Sequence, residues 1–321
     1  MATETGTPRV TVVTGAAGFV GRHVINRLAG RTGLVGWSRP GGTPPPAIEG
    51  IAWSSVDMSD RSSVDAGIGA ARPNQVVHLA GAANVATSFR TAVPHLAANA
   101  LGTHHLIEAL RQGAPACRVL VVTSAQVYAT GPDRLDEHCD LRPASPYGFT
   151  KLAQDRLARA AAADGLDVVV ARPFNHVGPG QQPDYAIAAF ARQIARAEAG
   201  QAPPVLRVGN LDSWRDVTDV RDVVEAYVRL LEGGRAGQAY NVCSGRACRI
   251  GDLLDMLCAM ARVPIRIEID PERFRPVDVP VIQGDASLIR DEVGWQPQIP
   301  IKQTLADTVD DWRRIVREEG S

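Results

Sequence analysis

Residues 10–21 read Val-Thr-Val-Val-Thr-Gly-Ala-Ala-Gly-Phe-Val-Gly, and they constrain the architecture more than any other stretch of the chain. A β-branched run, which favours extended backbone, stops at Gly15, and a helical pattern takes over from Phe19. Glycines at a strand-to-helix junction permit a tight turn and close backbone approach to a diphosphate. The helix N-terminus beyond adds unpaired N–H groups and the positive end of a dipole. The spacing is GxxGxxG, not the better-known GxGxxG, so the junction carries the argument more than the glycines do. Gly15, Ala17, Gly18, Phe19, Val20 and Gly21 are the candidate cofactor contacts; a plain tight turn is the alternative.

The rhythm that follows agrees with such a start. Val/Leu-rich runs at 10–15, 33–37, 75–80, 118–124 and 167–173 alternate with helical patterns near 19–30, 62–71, 95–112 and 147–164. Strands that are apolar throughout, with helices between them, predict a parallel sheet covered on both faces. Right-handed crossovers then predict an α/β, doubly wound Rossmann fold over residues 7–174. GGTPPPAIEG (41–50) predicts a surface loop. Beyond Pro173 helices are expected at 184–199, 219–232, 250–261 and 301–317, with short strands near 205–208, 239–242 and 265–269. Residues 175–321 are therefore expected to form a smaller α/β substrate-binding region, some segments of which return to the first sheet.

Composition excludes several classes. The net charge of −1 gives no basic field for nucleic acid or an anionic membrane. No 18-residue apolar run and no apolar signal core are present, which predicts a cytoplasmic protein. The five cysteines show no CxxC spacing and are expected to be reduced, mostly buried thiols without a metal.

Two local patterns suggest chemistry. In SPYGFTKLAQ, Tyr147 and Lys151 stand four apart and so share a helix face. A nearby ammonium favours the phenolate, and the expected effect is a tyrosine pKa lowered by roughly 1–3 units. Such a group suits proton exchange with a sugar oxygen during hydride transfer. At the end of the second strand, where an NAD-binding chain carries an acid for the ribose hydroxyls, this chain has Ser38 and Arg39. A hydroxyl and a guanidinium suit a 2′-phosphate, so NADP is the expected cofactor. Asp57, after the third apolar stretch, is a candidate for the adenine amino group or an ordinary turn aspartate.

TGAAGFVG, HLAGAANV, TSAQVY, SPYGFTK and RPFNHVGPGQ, in this order, resemble the extended short-chain dehydrogenase/reductase family acting on nucleotide-diphosphate sugars. The second half, with VGNLDSWRDVTDVRDVVEAY, YNVCSG and RPVDVPVIQGD, is similar to GDP-mannose 4,6-dehydratases and closer still to GDP-4-keto-6-deoxy-mannose reductases. The resemblance implies a catalytic set of Ser124, Tyr147 and Lys151, the last two also touching the cofactor. It implies cofactor contacts at Leu79, Ala80, Gly81 and Pro173, and an Asn99 that supports the lysine through water. It places Asn84, Ser124, Gln126 and Asn175 at the substrate, with Arg215, Arg275 and Asp278 on the diphosphate and nucleotide ribose. His176 invites an acid–base role, but a structural loop histidine is the better reading. The helices near 95–112 and 147–164 are those that pair across a two-fold axis in this family, which implies a homodimer.

One departure is informative. The dehydratases carry Glu two residues after the catalytic Ser/Thr, where this chain has Gln126. An amide cannot take the C5 proton that elimination of water requires. The expectation is thus NADPH-dependent reduction at C4 of a 4-keto-6-deoxy sugar nucleotide, with a GDP-linked substrate and GDP-rhamnose or its C4 epimer as product. A sugar-nucleotide 4-epimerase, which needs the same triad, is the alternative; a non-catalytic redox sensor is a third reading that the intact triad disfavours.

Overall fold

The computed structural model describes residues 9–31, 33–42, 48, 50–129, 131, 134–274 and 279–320. The chain begins β1 (Thr11–Thr14), α1 (Phe19–Leu28), β2 (Leu34–Ser38), β3 (Ile51–Ser55), α2 (Arg61–Ala71) and β4 (Gln75–His78). Two short helices, α3 (Val85–Ser88) and α4 (Ala92–Leu96), lead through a π-helical turn (Ala97–Leu101) into α5 (Gly102–Gly113). Then come β5 (Arg118–Val122), α6 (Pro146–Ala163) and β6 (Asp167–Pro173). The second half holds β7 (Asn175–Val177), α7 (Ala186–Glu198), β8 (Val205–Val208), β9 (Trp214–Asp219), α8 (Val220–Gly233) and β10 (Ala239–Val242). It closes with β11 (Ala247–Arg249), α9 (Ile250–Cys258), β12 (Arg266–Ile269), β13 (Val281–Ile282), α10 (Ser287–Val293) and α11 (Ile301–Glu319).

Seven parallel strands form the main sheet in the order β10-β6-β5-β4-β1-β2-β3. From β1 the chain runs outward first one way and then the other, which opens a crevice beyond the carboxyl ends of β1 and β4. The central strands are buried on both faces because two separate apolar clusters cover them. Val13, Leu120, Val169 and Tyr240 pack against α1 and α8 on one face. Val12, Val76, Val119 and Val168 pack with Leu106, Leu110 and Ala158 of α5 and α6 on the other.

β3 lies outside the five runs read as strands, and its position explains why. It is the sheet edge, half exposed, and IAWSS lacks a continuous apolar signal. The helix expected over 95–112 is in fact α4, a π-helical turn and α5. The strands β7, β9, β11 and β13 also had no sequence signal; three of them span two or three residues, and WRDVTD is mostly polar.

Part of the second half joins the main sheet: β10 pairs with β6, Ala239 opposite Val170. The remainder builds its own core, where Leu305, Val309, Trp312 and Val316 of α11 meet Phe190 and Ile194 of α7 and Leu254 and Leu257 of α9. Among the described residues no helix is long and apolar enough to cross a membrane. The five cysteines form no disulfide; Cys117 and Cys243 are buried, the other three partly so.

Candidate active site

The glycine turn is built by close packing. Gly15 has φ +66°, and a Cβ there would lie 2.9 Å from the Ala80 amide nitrogen. A Cβ on Gly21 would lie 2.2 Å from the Gly15 carbonyl oxygen, so α1 can pack on the turn only with glycine at that position. Gly18 is the α1 N-cap and brings no side chain to the first-turn amides. A bare helix N-terminus over a cradle that a Cβ would fill suits a diphosphate. Ala17 sits in the turn, with its carbonyl accepting from Arg22 Nε at 3.0 Å. Leu79 and Ala80 border the crevice from β4, their amides donating to Thr14 Oγ1 at 3.2 and 3.0 Å. Ser38 and the exposed Arg39 stand at the carboxyl end of β2, as an adenosine phosphate would require. Asp57 has one carboxylate oxygen committed to a turn, accepting from the Ser59 amide at 2.9 Å and its hydroxyl at 2.6 Å. Those bonds lower its pKa.

Tyr147 and Lys151 ride on the first two turns of α6. Ser145 caps that helix by accepting from the Gly148 amide at 3.1 Å, with Pro146 preset for the first turn. The Ser124 hydroxyl accepts from the Gln126 amide at 3.1 Å and is hydrogen-bonded to the Tyr147 hydroxyl. Lys151 Nζ donates to the Val122 carbonyl at 3.1 Å and to Gln154 Oε1 at 2.7 Å. A Cβ on Gly81 would stand 3.8 Å from that nitrogen, so the lysine borders the same crevice as the glycine turn. Ser124, Tyr147 and Lys151 therefore converge.

The electrostatics correct one expectation. Burial pushes the Tyr147 hydroxyl above its ordinary pKa; Ser124 opposes this, and Tyr185 adds to it. Burial also pulls Lys151 down to about 7. Both charged forms are penalised by the same dry surroundings, so the phenol keeps its proton.

The other residues fare differently. Asn84 spends its side-chain oxygen on capping α3, accepting from the Thr87 amide at 3.0 Å. Asn99 is fully buried. It accepts from the Ala82 amide at 2.8 Å and donates to the Ala82 carbonyl at 3.1 Å and to Thr150 Oγ1 at 2.8 Å. Its side chain thus ties the β4 loop to α6 beside the lysine. Asn175 is exposed just after the buried Pro173. His176 lies flat on Phe19, ring centroids 6.1 Å apart, and donates through Nδ1 to the Phe174 carbonyl at 3.0 Å. Burial lowers its pKa, and this is the geometry of a structural histidine. Arg215 is buried, donating to the Trp214 carbonyl at 2.8 Å. Arg275 and Asp278 lie outside the described residues.

Sequence reasoning missed a buried lock behind the triad. Arg172 makes a two-pronged ion pair with Asp155, at 2.8 and 3.0 Å, and donates to the Tyr128 hydroxyl at 2.9 Å. Tyr128 donates in turn to Asn241 Oδ1 at 2.7 Å, so one cluster joins α6, β6, β10 and the Ser124 turn. It also missed Gln154, although Gln154 shares a helix face with Lys151.

A seven-stranded doubly wound sheet with a Ser–Tyr–Lys set at its crevice defines an extended short-chain dehydrogenase/reductase. The family model of GDP-mannose 4,6 dehydratase matches residues 12–308, and the chain belongs to that family. It is 38% identical to the GDP-6-deoxy-D-mannose reductase of Pseudomonas aeruginosa, over 96% of this chain and 98% of that one. The structure of RMD from the same organism complexed with NADPH matches with a TM-score of 0.83 and 35% identity, covering 96% of this chain and 99% of that one. The Thermus thermophilus UDP-glucose 4-epimerase complex with NAD matches with a TM-score of 0.86 and 26% identity, covering 94% and 98%.

Proposed function

We propose that this protein reduces the C4 keto group of a nucleotide-linked 4-keto-6-deoxy sugar with NADPH, converting GDP-4-keto-6-deoxy-D-mannose into GDP-D-rhamnose. The observation that carries this reading is Gln126 beside an intact Ser124–Tyr147–Lys151 set. Its neighbours in the small cleft it lines are Ala125, Tyr128, Leu135, Ala144 and Ile282, among which there is no carboxylate. Elimination would need a base at this position that neither Gln126 nor these neighbours supply, while ketone reduction needs none.

The roles follow from the geometry. Bound NADPH supplies the hydride. The amides at the start of α1 and the Gly15–Gly21 turn hold the cofactor diphosphate, and Arg39 with Ser38 selects the 2′-phosphate. Tyr147 remains protonated in its buried position and gives that proton to the developing alkoxide. Ser124 polarises the same carbonyl. Lys151, in its ammonium form, stabilises the phenolate left behind and holds the nicotinamide ribose. Residues 7–174 bind the cofactor and 175–321 the sugar nucleotide, with Arg215, Arg275 and Asp278 on its diphosphate and ribose.

The partner in assembly is a second copy of the chain. Val93 and Leu96 of α4, Leu101 of the π-helical turn and Phe149 of α6 are exposed by 76, 51, 43 and 61%, apolar side chains in or next to the helices expected to pair. A cytoplasmic setting suits the free thiols.

The test is to incubate the protein with NADPH or NADH and GDP-, UDP- or dTDP-linked 4-keto-6-deoxy sugars, following the reduced nicotinamide by absorbance. GDP-linked substrate with NADPH should be fastest, and Tyr147→Phe should be slower by about 10²–10⁴-fold with NADPH binding retained. A clear dehydrated product from GDP-mannose and NADP⁺ would overturn the reading. A preference for NADH would bring the epimerase forward.

A further inference from the structure

A chain of buried polar side chains begins at Lys151 and ends at the glycine turn. Lys151 Nζ donates to Gln154 Oε1 at 2.7 Å, and Gln154 Nε2 donates to Thr103 Oγ1 at 2.8 Å. His78 Nε2 lies 2.9 Å from the same Thr103 oxygen, and His78 Nδ1 lies 2.8 Å from Thr14 Oγ1. Lys151, Gln154, Thr103, His78 and Thr14 are all at least nine-tenths buried.

The polarity of this chain is fixed from its two ends. Thr103 Oγ1 lies 2.6 Å from the Asn99 carbonyl, which can only accept, so the hydroxyl proton goes there. The Thr103 oxygen must then accept from both Gln154 and His78. At the far end the Leu79 and Ala80 amides donate to Thr14, whose own proton is directed to His78 Nδ1. That assigns the neutral, Nε2-protonated histidine, in agreement with burial pulling His78 down to about 3. With its amide nitrogen committed to Thr103, Gln154 has no choice but to turn its carbonyl oxygen towards the lysine. The chain carries no proton, because an amide cannot relay one at neutral pH. It holds an orientation.

We propose that Gln154 is a positioning residue for Lys151: its carbonyl and that of Val122 take two of the three ammonium protons and direct the third to the cofactor crevice. Neither neighbour is a carboxylate, so the ammonium is aimed without being neutralised by a fixed partner. The other ionisable groups packed around Tyr147 and Lys151 are His78 of β4, Tyr185 before α7, Tyr227 of α8, and Asp155 of α6, which is paired with Arg172 of β6.

The inference rests on the reductase reading, so the test includes a measurement that does not need turnover: NADPH affinity by fluorescence titration from pH 5 to 10. Gln154→Met removes an acceptor of the charged lysine, and the pH above which NADPH binding and kcat/KM fall should move down by about one unit. Gln154→Glu supplies a charge and should move it up by about 1–3 units. Thr103→Val, which leaves the Gln154 amide without its acceptor, should reproduce part of the Met effect, and Thr103→Ser should behave as the natural protein. These two decide the matter if the Gln154 variants fail to fold. Coincident pH curves for all variants, with only a lower melting temperature, would assign Gln154 to packing and overturn the proposal. A protein that binds NADPH with the predicted shifts but reduces no sugar would instead overturn the reductase reading.

Discussion

Lys151 shows how a single residue's burial sets both chemistry and stability. An ammonium that titrates near 7 in the folded chain and near 10.5 when unfolded is held against its preference. Between those values the unfolded chain binds more protons than the folded one, so folding becomes more favourable as the pH rises. Below about 7 both states are charged and the full penalty applies. Lys151→Met should therefore abolish activity yet raise the melting temperature by a few degrees at pH 6, with the gain shrinking towards pH 10. Thermal melts across that range check it; a variant that melts lower at every pH would contradict the account. Sequence alone made the Tyr147–Lys151 pairing legible, because helix periodicity is local. The direction of the tyrosine shift was not legible, because burial is set by the whole fold and Tyr185, 38 residues on, adds an unfavourable charge interaction.

At the level of elements, the lock formed by Asp155 and Arg172 fastens α6 to β6. Both side chains are fully buried, so neither charge is satisfied without the other. Arg172→Met should cost about 3–5 kcal/mol by leaving Asp155 unpaired, and adding Asp155→Leu should recover much of that loss. Denaturant melts of the two single variants and the double variant measure the coupling; additive losses would rule it out. The parallel strands and their helices were readable from alternating apolar runs. The lock was not, since its members stand at 128, 155, 172 and 241 with no common motif. The π-helical turn was hidden for a related reason: nothing in AANAL separates one extra backbone residue per turn from an ordinary helix.

For the whole molecule, the proposed homodimer makes a prediction at the exposed Val93 and Phe149. A charge placed there would meet water in a monomer and a second apolar surface in the proposed dimer. Val93→Glu with Phe149→Glu should leave the fold intact and shift the protein from dimer to monomer by light scattering at micromolar concentration. A natural protein that is already monomeric there would refute the homodimer. The doubly wound sheet was foreseeable from the first 174 residues. The short strands around β9 were not, because strands of two or three residues depend on partners rather than on their own propensity.

The return of β10 to the edge of the large sheet has a consequence for how the chain matures. Until residue 242 has left the ribosome, β6 presents an open edge, and until α8 has emerged the apolar face it covers is also bare. The first half cannot finish folding while the second is still being made, and the unpaired edge is open in that interval to other nascent strands. Synthesis that pauses after β6 would thus expose the sheet to aggregation, whereas a pause after β10 would not leave that edge open.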